Sequence, residues 1–269
     1  MLDAMASVSA AFGLRINTTK TVVMHVGQHN ADNIETRVNG VILEQAREFI
    51  YLGSVISDDG SLDAEINRLL GAAAAAFGRL RIRALTNRDL SLYTRVSVYN
   101  AAVISVLLYG AETWTIYRRQ LRRLESFHAK SLCRILGLSW RDLVPFTEIL
   151  RRTIATSIES LILLRRLCWA GHVQRMPNNR LPRQLLYGEL ATGRRSMGGQ
   201  KLRYKDQLSA SLRKCSMHPG SFEPLSYERA LWRDSSRRGV ALAEAARTCH
   251  LEELRQRRHQ RRADRDQHR

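Results

Sequence analysis

Pairs of arginine residues recur along the middle of the chain. They are Arg118/Arg119, Arg122/Arg123, Arg165/Arg166 and Arg194/Arg195, and Lys201 and Arg203 follow the last pair. A guanidinium group carries a fork of donors that fits phosphate oxygens, and aromatic rings stack on unpaired bases. The aromatic residues interleaved with these pairs are Trp169, Tyr187 and Tyr204. This combination predicts a segment that binds the sugar–phosphate backbone of a nucleic acid.

The charge balance of the whole chain favours the same partner. The 43 Lys and Arg residues outnumber the 25 Asp and Glu residues, which gives a net charge of +18. Residues 118–203 carry most of this excess, with eighteen basic and five acidic side chains. Such an excess attracts polyanions, nucleic acid first and an anionic membrane second. A basic surface without a specific partner is the alternative interpretation.

Asp58 and Asp59 have the outline of a polymerase metal site, since two adjacent carboxylates could hold magnesium. The aromatic residue that precedes such a pair in polymerases is missing, and no separate strand offers a third carboxylate. Asp58-Asp59-Gly60 is also typical of a turn, after which Ser61 would cap a helix. We therefore predict neither a metal site nor a catalytic residue here.

Cysteine and histidine residues give a second candidate metal site, a zinc site that would combine Cys168, His172, Cys215 and His218. The first two are four residues apart, which places them on one side of a helix, and the last two have the spacing C-x2-H. These spacings match no standard zinc finger, and a cysteine beside leucine and tryptophan is usually a buried apolar residue. The residues alone leave this site open.

The first sixty residues are predicted to be rich in β-structure after one short helix. That helix would end at Gly13, and its apolar side would consist of Leu2, Met5, Val8 and Phe12. Strands are expected over residues 14–26 and 36–43, the second turned at Asn39-Gly40. A hairpin of two short strands is expected over Phe49–Ser57.

From Ser61 onward the apolar residues follow helical spacing. Helices are predicted over residues 61–84, 90–108, 118–136 and 154–176. The short connections between them favour a compact bundle. Beyond residue 207 the pattern weakens, and one or two short helices are expected over residues 227–246. The Arg-rich end of the chain is predicted to be a frayed helix or disordered.

Several of these segments occur in the same order in one known family. They are FGLRINTTKT at residues 12–21, YLG at 51–53, LLYGAETW at 107–114, LCRILG at 132–137, CWAGHVQRM at 168–176 and GRRSMGGQKLRYKD at 193–206. Together they resemble the end of the palm and the thumb of the reverse transcriptase of non-LTR, LINE-like retrotransposons. The resemblance covers residues 12–206 through motifs that are individually weak. Cys168 departs from it, since a basic or other polar residue is expected there.

The resemblance implies roles for particular residues. In a complete RNA-directed DNA polymerase of this kind, Tyr51, Leu52 and Gly53 would hold the primer 3′ end, and Lys20 would lie near the phosphates of the incoming nucleotide. The arginines would hold the duplex of RNA template and DNA primer. The metal-binding aspartates of the family belong before the position of Met1. We therefore expect no cofactor in this chain, although the complete enzyme uses magnesium, and no polymerisation by the chain alone.

The predicted fold is mainly α with a small β-rich N-terminal part (α+β). It comprises a palm remnant at residues 1–60, a thumb-like helical bundle at 61–176, a basic extension at 177–250 and a flexible Arg-rich tail at 251–269. Scattered cysteines and the lack of a signal peptide or an apolar span predict a nuclear or cytoplasmic protein with no membrane partner. Two alternatives remain, a domesticated non-enzymatic nucleic-acid-binding protein and a decayed element with no cellular role.

Overall fold

The chain divides into a small unit that contains strands and a larger helical unit. The computed structural model describes residues 2–26, 35–188 and 202–267. The two compact units are Met1–Arg68 and Leu69–Arg269. All described strands belong to the first unit, and the second is built from helices. The prediction of a mainly α chain with a small β-rich N-terminal part is therefore confirmed.

Helix α1 (Leu2–Ala11) opens the first unit, and Gly13 ends it with a φ of 73°, as predicted. Three residues of the predicted apolar side of this helix are exposed: Met5, Val8 and Phe12. The buried cluster of the unit consists instead of Ala6, Val38 and Leu43. The small side chain of Ala6 allows the helix to pack closely on the short strand that contains Val38.

Each strand of the first unit is short. Strand β1 (Val22–Val23) pairs in parallel with β4 (Glu44–Gln45), β2 (Arg37–Val38) is antiparallel to β3 (Val41–Ile42), and β5 (Glu48–Tyr51) is antiparallel to β6 (Ser54–Ser57). The turn predicted at Asn39-Gly40 and the hairpin predicted over Phe49–Ser57 are confirmed. The strand predicted over residues 14–26 is wrong outside β1. There the Asn17 carboxamide oxygen accepts the Thr19 and Lys20 backbone N–H groups, at 3.0 and 3.2 Å, and so forms a turn.

Ten α-helices are described in the second unit and at its border. After α1 they are α2 (Asp63–Leu80), α3 (Leu92–Tyr99), α4 (Ser105–Leu107), α5 (Arg118–Leu136), α6 (Phe146–Thr153), α7 (Ile158–Gln174), α8 (Leu181–Tyr187), α9 (Tyr204–Lys214), α10 (Phe222–Tyr227) and α11 (Arg229–Gln267). A short π-helix at Asn100–Ile104 joins α3 to α4. The helix predicted over residues 90–108 is therefore confirmed as one continuous stretch. The bounds of α5 match the prediction.

Two of the predicted helices have different bounds. The helix predicted from residue 154 begins at Ile158, because Ile154 has a φ of 52° and ends α6. Ser157 then caps α7 by accepting the Ser160 backbone N–H at 3.3 Å. One or two short helices were predicted over residues 227–246. The structure has instead a single helix of 39 residues, α11, which includes most of this range and ends at Gln267.

The core of the second unit surrounds α7. Leu163, Leu167 and Ala170 on this helix pack in one cluster with α9 and α11. The Trp232 indole N–H of α11 donates to the Leu167 carbonyl at 3.0 Å, which fixes the position of the long helix along α7. Among the described helices, none combines the length and the apolar character that crossing a membrane requires.

Candidate nucleic-acid interface

Helix α5 presents its arginines on one side because its other side is buried. Leu124, Leu132 and Ile135 lie in the core. The first turn is held by the Gln120 side chain, which accepts the Tyr117 backbone N–H at 2.9 Å, and Gly137 ends the helix in the left-handed region. The predicted binding residues of this helix are all exposed: Arg118, Arg119, Arg122 and Arg123. We call these four residues the α5 arginine side.

A buried polar pair fixes the rotation of α5. The Tyr99 hydroxyl and His128 Nδ1 are 2.9 Å apart, and both side chains are fully buried. The two rings are also stacked, with centroids 5.7 Å apart. Burial lowers the pKa of His128 to about 4 and raises the pKa of Tyr99, so the imidazole is neutral at physiological pH. The two residues are 29 positions apart in the chain, so the sequence alone does not reveal this pairing.

A groove of about 440 Å³ runs beside the α5 arginine side. Its lining includes Arg122, Arg123 and Lys130, together with the half-buried ring of Phe127. Cationic side chains beside an aromatic ring are the combination that binds a phosphate backbone and stacks a base. The groove is therefore the part of the second unit whose chemistry best fits a nucleic acid.

The second predicted pair, Arg165 and Arg166, is not exposed as the α5 arginine side is. Arg166 is only 4% exposed, and its guanidinium donates to the Ser211 hydroxyl, the Trp114 carbonyl and the Gln207 side chain at 2.8 to 3.0 Å. We therefore assign Arg166 a structural role and do not retain it as a nucleic-acid ligand. Arg165 is half-buried, and its guanidinium donates to the Leu108 carbonyl.

The remaining predicted cations belong to the basic extension, residues 177–250. Arg194, Arg195 and Lys201 fall outside the described residues. Arg203 is exposed and forms an ion pair with Asp206 at 3.0 Å in the first turn of α9. This pair neutralises part of the positive charge that Arg203 would bring to a phosphate.

The YLG turn of the first unit is exposed. Leu52 and Gly53 connect β5 to β6 with φ values of 48° and 82°, and Tyr51 and Leu52 are 57% and 78% exposed. Positive φ at both central residues matches the right-handed twist of a hairpin. Lys20 is also exposed, at the turn that Asn17 forms.

Two residues that sequence reasoning missed support this hairpin. The Val55 backbone N–H donates to Glu65 Oε2 at 2.8 Å, and Glu65 is only 1% exposed. The Arg68 guanidinium reaches the Gly53 carbonyl and lies 3.1 Å from the Glu65 carboxylate. The buried carboxylate therefore ties the start of α2 to β6. An acidic residue in the first turn of a helix was visible in the sequence, but its distant partner was not.

The two candidate metal sites lack the geometry of a metal centre. Asp59 accepts the Ser61 backbone N–H at 2.7 Å, as expected of a turn before a helix. His218 Nδ1 accepts the Gly220 backbone N–H at 3.1 Å, so this nitrogen serves the local turn. Across residues 2–26, 35–188 and 202–267, no three His, Cys, Asp or Glu side chains are grouped as metal ligands.

One curated protein is similar to this chain over most of its length. It is an uncharacterized transposon-derived protein of Caenorhabditis elegans, which is 27% identical over 215 residues. The aligned part covers 77% of this chain and 76% of that protein. No protein-family profile matches the sequence, and no solved structure matches it either.

Proposed function

We propose that this chain derives from a transposable element and is the nucleic-acid-holding part of a reverse transcriptase of the non-LTR type. In this proposal the chain binds a duplex of RNA template and DNA primer but does not polymerise by itself. The similarity to a transposon-derived protein supports the origin. The net charge of +18 and the ordered motifs of residues 12–206 support the reverse-transcriptase assignment.

The observation that carries the proposal is the α5 arginine side beside its groove. Four exposed guanidinium groups within two turns of a helix held rigidly by the core can contact successive phosphates along a strand. Phe127 in the groove adds an aromatic ring for contact with a sugar or base. Four phosphate contacts would contribute roughly 3 to 4 to the slope of log affinity against log salt concentration.

The exposed YLG turn supports a role at the primer end. Gly53 has no side chain, so the tip of the hairpin would allow close approach of a sugar–phosphate backbone, and the exposed ring of Tyr51 would contact a sugar or base. We propose that Tyr51, Leu52 and Gly53 hold the primer 3′ end and that Lys20 contacts nucleotide phosphates. The magnesium ions of phosphoryl transfer would be held by carboxylates outside the surfaces described above.

Binding is tested with the full chain and a fluorescent RNA–DNA duplex with a recessed primer end, titrated over a series of salt concentrations. Replacing Arg118, Arg119, Arg122 and Arg123 by Gln should make the salt slope shallower by roughly 3. A control with the same loss of charge replaces four exposed arginines outside α5, namely Arg79, Arg81, Arg83 and Arg88. Equal slopes for the two variants would show that α5 is not the binding surface.

Synthesis is tested separately on a primed RNA template with magnesium and a labelled nucleotide. We expect no incorporation by the isolated chain. Incorporation that exceeds the level of a Lys20→Ala variant would overturn the expectation, because it would require a working metal site in this chain.

A second candidate function is a binding protein that no longer takes part in synthesis. The buried core around α7 favours it, because the helical unit has a core of its own. Such a protein needs no preference for a primer end. Equal affinity for a blunt duplex and a recessed one, unchanged by Tyr51→Ala, would favour this candidate over the primer-holding role. Loss of cooperative unfolding would instead favour a decayed element.

A further inference from the structure

The end of α11 extends beyond the core as a free-standing helix. Ala243 is the last buried residue of α11 that the structure describes, and residues 252–261 are all exposed. The 16 residues from Glu252 to Gln267 extend about 24 Å at the usual rise of an α-helix. The helix is rooted by Glu244, whose carboxylate accepts the Ser157 and Ser160 hydroxyls at 2.6 and 2.7 Å. Glu244 therefore fixes α11 to the start of α7, and a long exposed segment of α11 extends beyond this attachment.

The arginines of this segment lie on one face of the helix. At 3.6 residues per turn, the positions of Arg255, Arg257, Arg258 and Arg261 fall within an arc of about 160°. The opposite face carries Glu252, Glu253, Gln256, His259 and Gln260. We call the four arginines the α11 arginine face.

Four like charges this close destabilise an isolated helix. Arg258 donates from Nε to the Leu254 carbonyl at 3.1 Å, but no ion pair is described for these four side chains in the part of the chain that the structure covers. An anionic partner would remove the repulsion and bind the whole face at once.

We propose that the α11 arginine face binds the major groove of a B-form DNA duplex, as a contact separate from α5, because the A-like duplex of RNA template and DNA primer has a major groove too deep and narrow for a helix. This inference rests on the proposed function, since it adds a second surface for the same class of partner. A single α-helix fits the major groove of a B-form duplex, and arginine forks reach phosphates on its walls and acceptors on its floor.

Two features of the segment favour a duplex over other polyanions. A helix that lies on a membrane needs an apolar side, and the face opposite the arginines is polar throughout residues 252–261. Single strands are held by stacking on aromatic rings, and residues 233–267 contain no Phe, Trp or Tyr. The chemistry that remains is the contact of guanidinium groups with the phosphates and base edges of a rigid double helix.

The test uses the full chain, a fluorescent 20-base-pair DNA duplex and a series of salt concentrations. In the test variant, Gln replaces Arg255, Arg257, Arg258 and Arg261. Glutamine has nearly the same helix propensity as arginine and removes the repulsion, so circular dichroism should show helicity that is equal to or slightly higher than that of the wild type. We expect the salt slope to become shallower by between about 3 and 4. A matched control replaces four exposed arginines nearer the base of α11, namely Arg229, Arg233, Arg237 and Arg238, and should change the slope by less than about 1.

The remaining results separate this inference from the proposed function. If Gln at the α5 arginine side weakens binding while the α11 variant keeps the wild-type slope, the inference is wrong and the proposed function stands. If only the α11 variant weakens binding, the inference stands and the assignment of α5 fails. Stronger arginine-dependent binding to vesicles of phosphatidylcholine and phosphatidylserine than to the duplex would overturn the inference in favour of a membrane partner.

Discussion

The neutral, buried His128 should make the helical unit lose stability as the pH falls below 7. Burial lowers the pKa of His128 from 6.5 to about 4, and the side chain is fully buried against Tyr99. In the unfolded chain the imidazole takes up a proton near pH 6.5, whereas in the folded chain it stays neutral until pH 4. The unfolded state therefore binds more protons between these values, and the free energy of unfolding decreases as the pH is lowered over this range.

The size of the effect follows from the two pKa values. With 6.5 for the unfolded chain and about 4 for the folded one, lowering the pH from 7.5 to 5 should reduce the free energy of unfolding by about 2 kcal/mol. Carboxylates contribute mainly at lower pH. Glu244, for example, is half-buried, but hydrogen bonds from Arg247, Ser157 and Ser160 outweigh the effect of burial and lower its pKa to about 2. Glu125 is the exception, because burial raises its pKa; a variant without the imidazole therefore isolates the contribution of His128.

Urea unfolding followed by tryptophan fluorescence measures the free energy of unfolding of the helical unit. All four tryptophans lie within Leu69–Arg269, so the signal reports the helical unit alone. The comparison is with His128→Gln, which can retain a hydrogen bond to Tyr99 but does not titrate. Wild type should lose about 2 kcal/mol more than the variant between pH 7.5 and 5. Parallel pH profiles for the two proteins would refute the reasoning.

Two further predictions concern packing and the hairpin. A Cβ at Gly171 would overlap the Trp232 indole, so Gly171→Ala should destabilise the helical unit by about 1–3 kcal/mol in urea unfolding. Gly78→Ala in α2 meets open space and should be neutral or stabilising by up to about 1 kcal/mol; equal effects at the two sites would contradict the packing described for α7 and α11. Glu65→Gln should weaken the bond to the Val55 amide and raise its hydrogen-exchange rate about tenfold, corresponding to about 1.4 kcal/mol. An unchanged exchange rate would mean that the carboxylate does not hold β6.

Local patterns predicted those parts of the fold that depend on neighbouring residues. Asn39, Gly40 and Gly53 readily adopt positive φ, so both hairpin turns were predictable. The apolar spacing and terminal glycine of α5 predicted its bounds. The strand predicted from Leu14 failed for an equally local reason, since the Asn17 side chain competes for the backbone N–H groups that a strand would use.

The sequence predicted that arginines form the candidate site, but not which of the arginines belong to it. Arginine pairs look alike in a sequence, whether they lie on the surface or in the core. Arg122 borders an open groove, while Arg166 is enclosed by Ser211, Gln207 and Trp114, which lie 41 to 52 residues away along the chain. Only contacts between distant segments distinguish them.

The sequence by itself determined the positive charge, the helical bias and the turns, because charge and backbone preference belong to single residues and their neighbours. Tertiary structure decided which arginines are exposed, that His128 is neutral and that α11 continues as one helix past its core. The first two properties depend on burial, and burial is set by residues far apart in the chain; the third depends on where the contacts of α11 with α7 and α9 end. The α11 arginine face is exposed because the helix extends beyond the cluster around Trp232 and Val240.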